Sequence, residues 1–199
     1  MRLARALSVL AILLGVTACA PRDPLERMIS APTTTRLAAW RSHVASDYNV
    51  DTLRRIEEAL QEIRLSFAAE RELKRQLGET VAGGTDSIDE SVRQRVHGRR
   101  LRELLQLGYE LRVRRLTEEL AGLENAMSKN SQLVTRPGDL ESKHHLEGLQ
   151  DRQRTRVEKY RGDLASAERE LAPLLAKTGR PLLEPRIETP DVMPLRTKP

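Results

Sequence analysis

One cysteine, one tryptophan and one phenylalanine in 199 residues leave this chain short of the groups on which many compact or catalytic folds depend. A single thiol cannot close an intramolecular disulfide, so the fold must hold by packing. Aromatic residues make up 3% of the chain, too few large side chains for a thick core, so thin helix–helix seams are expected. Also missing are a Gly-x-Ser-x-Gly elbow, a glycine-rich phosphate loop and a His-Glu-x-x-His pair, the spacings that assemble nucleophile, phosphate or zinc chemistry. His43, His97, His144 and His145 share no such spacing, and adjacent histidines on a helix point about 100° apart. No catalytic residue, metal site or cofactor is therefore expected. Basic and acidic residues nearly balance, 34 against 29, which leaves no continuous positive field for nucleic acid.

Long apolar runs are absent too. The one conspicuous run, Ala6 to Val16, falls well short of the ~20 residues that span a bilayer. Arg2 and Arg5 precede it and the small residues Thr17 and Ala18 follow, the pattern of an export signal. The only cysteine comes next. Val16-Thr17-Ala18-Cys19 resembles the lipobox of bacterial lipoprotein precursors. That resemblance implies that residues 1–18 are a signal peptide, that cleavage falls before Cys19, and that Cys19 carries the lipid. The alternative, a plain secretory signal cut after Ala18, would leave an unpaired thiol at the first mature residue of an exported protein. One acyl chain holds weakly and stable anchoring takes two or more, which lipoprotein-type modification supplies. In a cell with two membranes, Ala20 after the cysteine resembles outer-membrane sorting. Cleavage removes two arginines and no acid, so the net charge falls from +5 to +3.

Beyond the leader the chain divides by composition. Residues 19–34 contain three prolines and no helical stripe, so they are expected to form a tether; residues 20–33 alone would reach about 45 Å when extended. Residues 35–180 are expected to form one all-α, elongated helical bundle of coiled-coil type. A short helix with Leu37, Trp40 and Val44 on one face opens it. A longer one is expected near Asn49 or Asp51, either a good N-cap, with Leu53, Ile56, Leu60, Ile63 and Phe67 at steps of 3 and 4. Gly83 and Gly84 should end it. Ser87 to Glu90 match a capping box, from which a second long helix should run about forty residues, near 60 Å. Its distal half carries Tyr109, Val113, Leu116, Leu120, Leu123 and Met127. Pro137-Gly138 marks a turn, with Asp139 a cap for the third long helix. That helix has a stripe from Leu146 to Leu174 and is stopped by Gly179 and Pro181. The two stripes flanking the turn predict a long antiparallel hairpin. The seam of the first long helix must be covered by this hairpin or by a second copy. Residues 181–199 hold five prolines and are expected to be a disordered tail.

The segment "VRQRVHGRRLR" concentrates Arg93, Arg95, Arg99, Arg100 and Arg102 before any acid. Guanidinium groups favour phosphate and carboxylate partners, so this stretch is the candidate surface for anionic lipid, lipopolysaccharide or peptidoglycan. Against that, the five arginines spread over more than half of a helix circumference, as salt-bridged solubilising residues would. The expected partners are a membrane, through the lipid, and other envelope proteins.

Overall fold

The computed structural model describes residues 23–81, 83–132 and 140–183. Among them the chain is all-α. A 3₁₀ turn at Pro24–Glu26 precedes five helices, which we name α1 (Thr34–Asp47), α2 (Val50–Gln76), α3 (Thr85–Val96), α4 (Leu101–Ser131) and α5 (Leu140–Thr178). The expected signal peptide, Cys19, the expected turn at Pro137-Gly138 with its Asp139 cap, and residues 184–199 lie outside the described residues.

Local chemistry explains the first two helices. Thr33 accepts a hydrogen bond from the Arg36 amide and starts α1, which turns Leu37, Trp40 and Val44 into the core. Asn49 accepts from the Thr52 amide at 2.8 Å and starts α2. Ile56, Leu60 and Ile63 are buried, and Leu53 and Phe67 pack against them. The seam of α2 is thus covered by α4, with α3 alongside. α2 ends at Gly78, five residues before the expected glycine pair. Gly78 has φ +78°, its amide bonds to Arg75 O, and the next amide, of Glu79, bonds to Lys74 O, both at 3.0 Å. This is a Schellman ending, which needs the left-handed residue that glycine supplies.

Two expectations are corrected at the next helix. α3 starts at Thr85, so Ser87 lies within its first turn and is not the N-cap. Its hydroxyl instead donates to Gly84 O at 2.9 Å and accepts from Arg71. The forty-residue helix is in fact two helices, α3 and α4. The break is at Gly98, whose φ of +76° leaves the α-helical region. The chain re-enters helix at Leu101, with the Glu103 carboxylate accepting the Arg100 amide at 2.9 Å.

α4 and α5 lie side by side and antiparallel. Glu124 pairs with Arg161 near one end, and Gln106 reaches Arg180 O at the other. With 31 and 39 residues, they extend about 46 and 58 Å. Leu116, Val157, Ala167, Leu171 and Leu174 are buried along them. From Leu101 to Glu110, α4 is buried at every residue except Glu103. There it is encased by α2 and the 3₁₀ turn as well as by α5. At the tightest point α2 crosses Gly108, where an added Cβ would sit 2.4 Å from Ala59 Cα. Gly179, with φ +75°, ends α5.

The largest correction concerns the expected tether. From Asp23 onward the chain is built into the fold, with Ile29 and Ala31 in the core. We call residues 23–31 the arm.

Candidate functional site

The arm and the α3–α4 turn meet as two short extended segments. The Ile29 amide donates to Arg99 O at 2.8 Å, the Gly98 amide to Ile29 O at 2.9 Å, and the Leu101 amide to Arg27 O at 2.9 Å. Met28 faces Arg100 in an antiparallel bridge. This pairing explains the turn's position, because Gly98 frees backbone groups that the arm then satisfies. His97 completes it. Its Nδ1 accepts the Ala31 amide at 3.1 Å.

The five arginines sit around this junction in different chemical situations. Arg102 is 8% exposed and bridges two arm carboxylates. Its Nη2 donates to Asp23 at 2.6 Å and its Nε to Glu26 at 2.8 Å. Arg93 grips Glu90 through Nε and Nη2 at 2.8 and 2.6 Å and donates to Ala31 O. Arg100 pairs with Glu26 at 2.6 Å while its side chain stays 60% exposed. Arg99 donates to the Arg95 carbonyl at 2.7 Å, and neither Arg95 nor Arg99 has a carboxylate partner among the described residues. Arg93 and Arg102 are therefore fastenings of the fold. Arg95 lines the cleft between α2 and α4, with Glu62 and Glu118 among its other lining residues, Arg99 is half-buried, and Arg100 keeps an exposed edge.

Electrostatics follow these pairings. The Arg93 guanidinium, helped by Gln94, pulls the Glu90 carboxyl from 4.5 to about 2. Asp23 is held below the ordinary carboxylate range by the Leu25 amide and by Arg102. Glu26 is lowered chiefly by Arg102, and Asp47 by Arg27, its partner at 2.5 Å.

A second polar cluster lies beside the arm. The Glu110 carboxylate accepts the amides of Leu182, at 2.9 and 3.0 Å, and of Leu183, at 2.7 Å, together with Gln106 Nε2 at 2.6 Å. The first residues of the expected disordered tail, 181–183, are thus fastened to α4. No sequence motif marks Asp23 or Glu26 as partners of Arg102, or Gln106 and Glu110 as a clasp. Gln106 and Glu110 were visible as two polar residues in an otherwise apolar run.

Elsewhere, α2 and α4 are laced by Glu58–Arg112 at 2.8 Å and by a two-pronged Glu62–Arg115 pair at 2.6 and 2.9 Å. Above that pair, Leu65, Leu73 and Leu111 line an open cleft of about 490 Å³. Among the described residues no group of three or more His, Cys, Asp and Glu side chains is placed to hold a metal ion, and no helix is long and apolar enough to cross a membrane. No protein-family model, curated protein or solved structure matches the chain.

Proposed function

We propose that this protein is a lipid-anchored envelope lipoprotein that acts, without catalysis, as a helical scaffold or adaptor for other envelope proteins. The observation that carries the proposal is the Val16–Cys19 motif lying only four residues ahead of Asp23, where the helical fold begins. A lipid on Cys19 would leave a leash of about 13 Å at ~3.3 Å per residue. The start of the bundle would then stay within that distance of the anchor. Asp23 is paired with Arg102 near the start of α4 and with Lys177 near the end of α5. The α4–α5 pair therefore leads away from the anchor, offering coiled-coil-like helical surface at a distance from the bilayer. Of the charged groups at the junction, most serve the fold, which favours a binding surface made of helix faces over a reaction centre.

The test is photo-crosslinking in intact cells from single exposed positions in the outer half of the α4–α5 pair. The reading expects a discrete adduct with an envelope protein that is lost when Cys19→Ala removes the anchor. Adducts unchanged by Cys19→Ala, or adducts to cytosolic proteins alone, would contradict it.

A further inference from the structure

Exposed large apolar side chains gather on the second half of α2. Leu65 is 38% exposed, Leu73 49%, and Leu77, the residue after the helix, 69%. Leu65 and Leu73 lie two turns apart on one helix face. With Phe67 beside them and Leu111 opposite on α4, they line the cleft of about 490 Å³. Apolar surface of this kind gains free energy from whatever covers it, and an exposed patch of it marks a docking surface. The same cleft carries three glutamates, Glu62, Glu70 and Glu118, and three arginines, Arg95, Arg114 and Arg115. Charges so balanced set up no field that draws in a polyanion or a polycation. They suit a peptide of mixed charge with apolar side chains between.

We propose that the occupant of the cleft is the C-terminal segment of the same chain, residues 184–199. Its starting point selects it. Glu110 holds the Leu182 and Leu183 amides, and Arg114, one turn further along the same face of α4, already lines the cleft. Length allows it: Leu111 to Glu118 covers about 11 Å of α4, whereas residues 184–199 reach about 50 Å when extended. Composition matches as well. Ile187, Val192, Met193 and Leu195 are the apolar contacts, while Glu184, Glu188 and Asp191 balance Arg186, Arg196 and Lys198, as the charges of the cleft balance one another. Pro185, Pro190 and Pro194 restrict the backbone beforehand, which lowers the entropy lost on docking. The hold at Glu110 makes docking intramolecular, at an effective concentration of about millimolar, so contacts too weak to retain a free peptide suffice. The Glu110 clasp thus sets where the segment enters, and the docked segment braces α2 against α4 beyond the Glu62–Arg115 pair. No lipid on Cys19 is needed for this inference.

The experiment uses the full chain with a benzophenone amino acid in place of Leu73 or, as a control, in place of Ser166, an exposed residue of α5 about 18 Å from its end. Ordinary and isotope-labelled chains are mixed before irradiation. The proposal expects position 73 to join a peptide from residues 184–199 of the same isotopic chain, and position 166 to join none. Ile187→Asp/Val192→Asp should lower the adduct yield about tenfold and leave the circular dichroism melt in place. Ending the chain after Leu183 keeps both amides at Glu110 and should raise the binding of a fluorescent apolar dye. Absence of an adduct to residues 184–199, or an adduct indifferent to the two aspartates, would overturn the proposal. An adduct joining two isotopic chains would assign the cleft to a second copy and overturn it equally, as would a shortened chain that binds no more dye than the full one.

Discussion

Arg102 and Asp23, 79 residues apart in the chain, meet at 2.6 Å with the guanidinium almost wholly buried. The same side chain holds Glu26, so one residue of α4 fastens the arm. Arg102→Met fills similar space but leaves both carboxylates without it. It should cost about 2 kcal/mol, the scale of hydrogen bonds to a charged group. Thermal unfolding checks the magnitude, and amide exchange at Ile29 should quicken. A wild-type melt with unchanged exchange would count against the fastening.

Gly108 and Ala59 set the closest approach of α2 and α4. Gly108→Ala drives a Cβ onto the Ala59 backbone, and the helices must separate, at a cost of about 1–3 kcal/mol. Gly122 lies in the same helix with nothing within 4 Å of an added Cβ. There the same change should stabilise by about 0.5–1 kcal/mol through helix propensity. Opposite shifts in denaturant midpoint for the two variants are the expected result.

Glu110 holds the chain after α5. Glu110→Leu leaves the Leu182 and Leu183 amides without their acceptor, which should cost about 1–3 kcal/mol. Exchange at those two amides should speed up far more than at Val157, a buried residue in the middle of α5. Uniform change along α5 would contradict a local clasp.

Acid should loosen the arm before the outer α4–α5 seam. Asp23, Glu26, Asp47 and Glu90 all have lowered carboxyl values in the fold. Their stabilisation is therefore complete above the ordinary carboxylate range and is lost as pH falls through the lowered values. For Glu90 that window runs from 4.5 down to about 2. Amide exchange at Ile29, corrected for its intrinsic pH dependence, should quicken across this window. A melting temperature that increases on acidification would contradict the sign.

The helices were legible where a local rule carried them. Asn49 with the 3–4 steps from Leu53 to Phe67 marked α2, and Leu37, Trp40 and Val44 marked the face of α1. The arm was not legible, because an extended segment with two inward residues, Ile29 and Ala31, has no period to detect. Its order comes from partners at 97–102, a non-local pairing. One local clue is present: Asp23-Pro24 is a good cap followed by a residue suited to the first helical position, and Asp23 does accept the Leu25 amide at 2.9 Å. The Gly98 break was obscured because Val92 and Val96 before it and Leu101 and Leu104 after it are all core residues, so buried apolar positions continue on both sides of it even though the stripe there is irregular. The candidate arginines were found as a group, but their division into those that fasten the fold and those that do not depended on Asp23, Glu26 and Glu90, whose proximity only the fold reveals.

Intact-mass analysis of the protein extracted from its native membranes tests the central claim most directly. A chain beginning at Cys19 and heavier by a diacylglyceryl group is the predicted species. An uncut 199-residue chain, or one beginning at Cys19 with no added lipid, would contradict it.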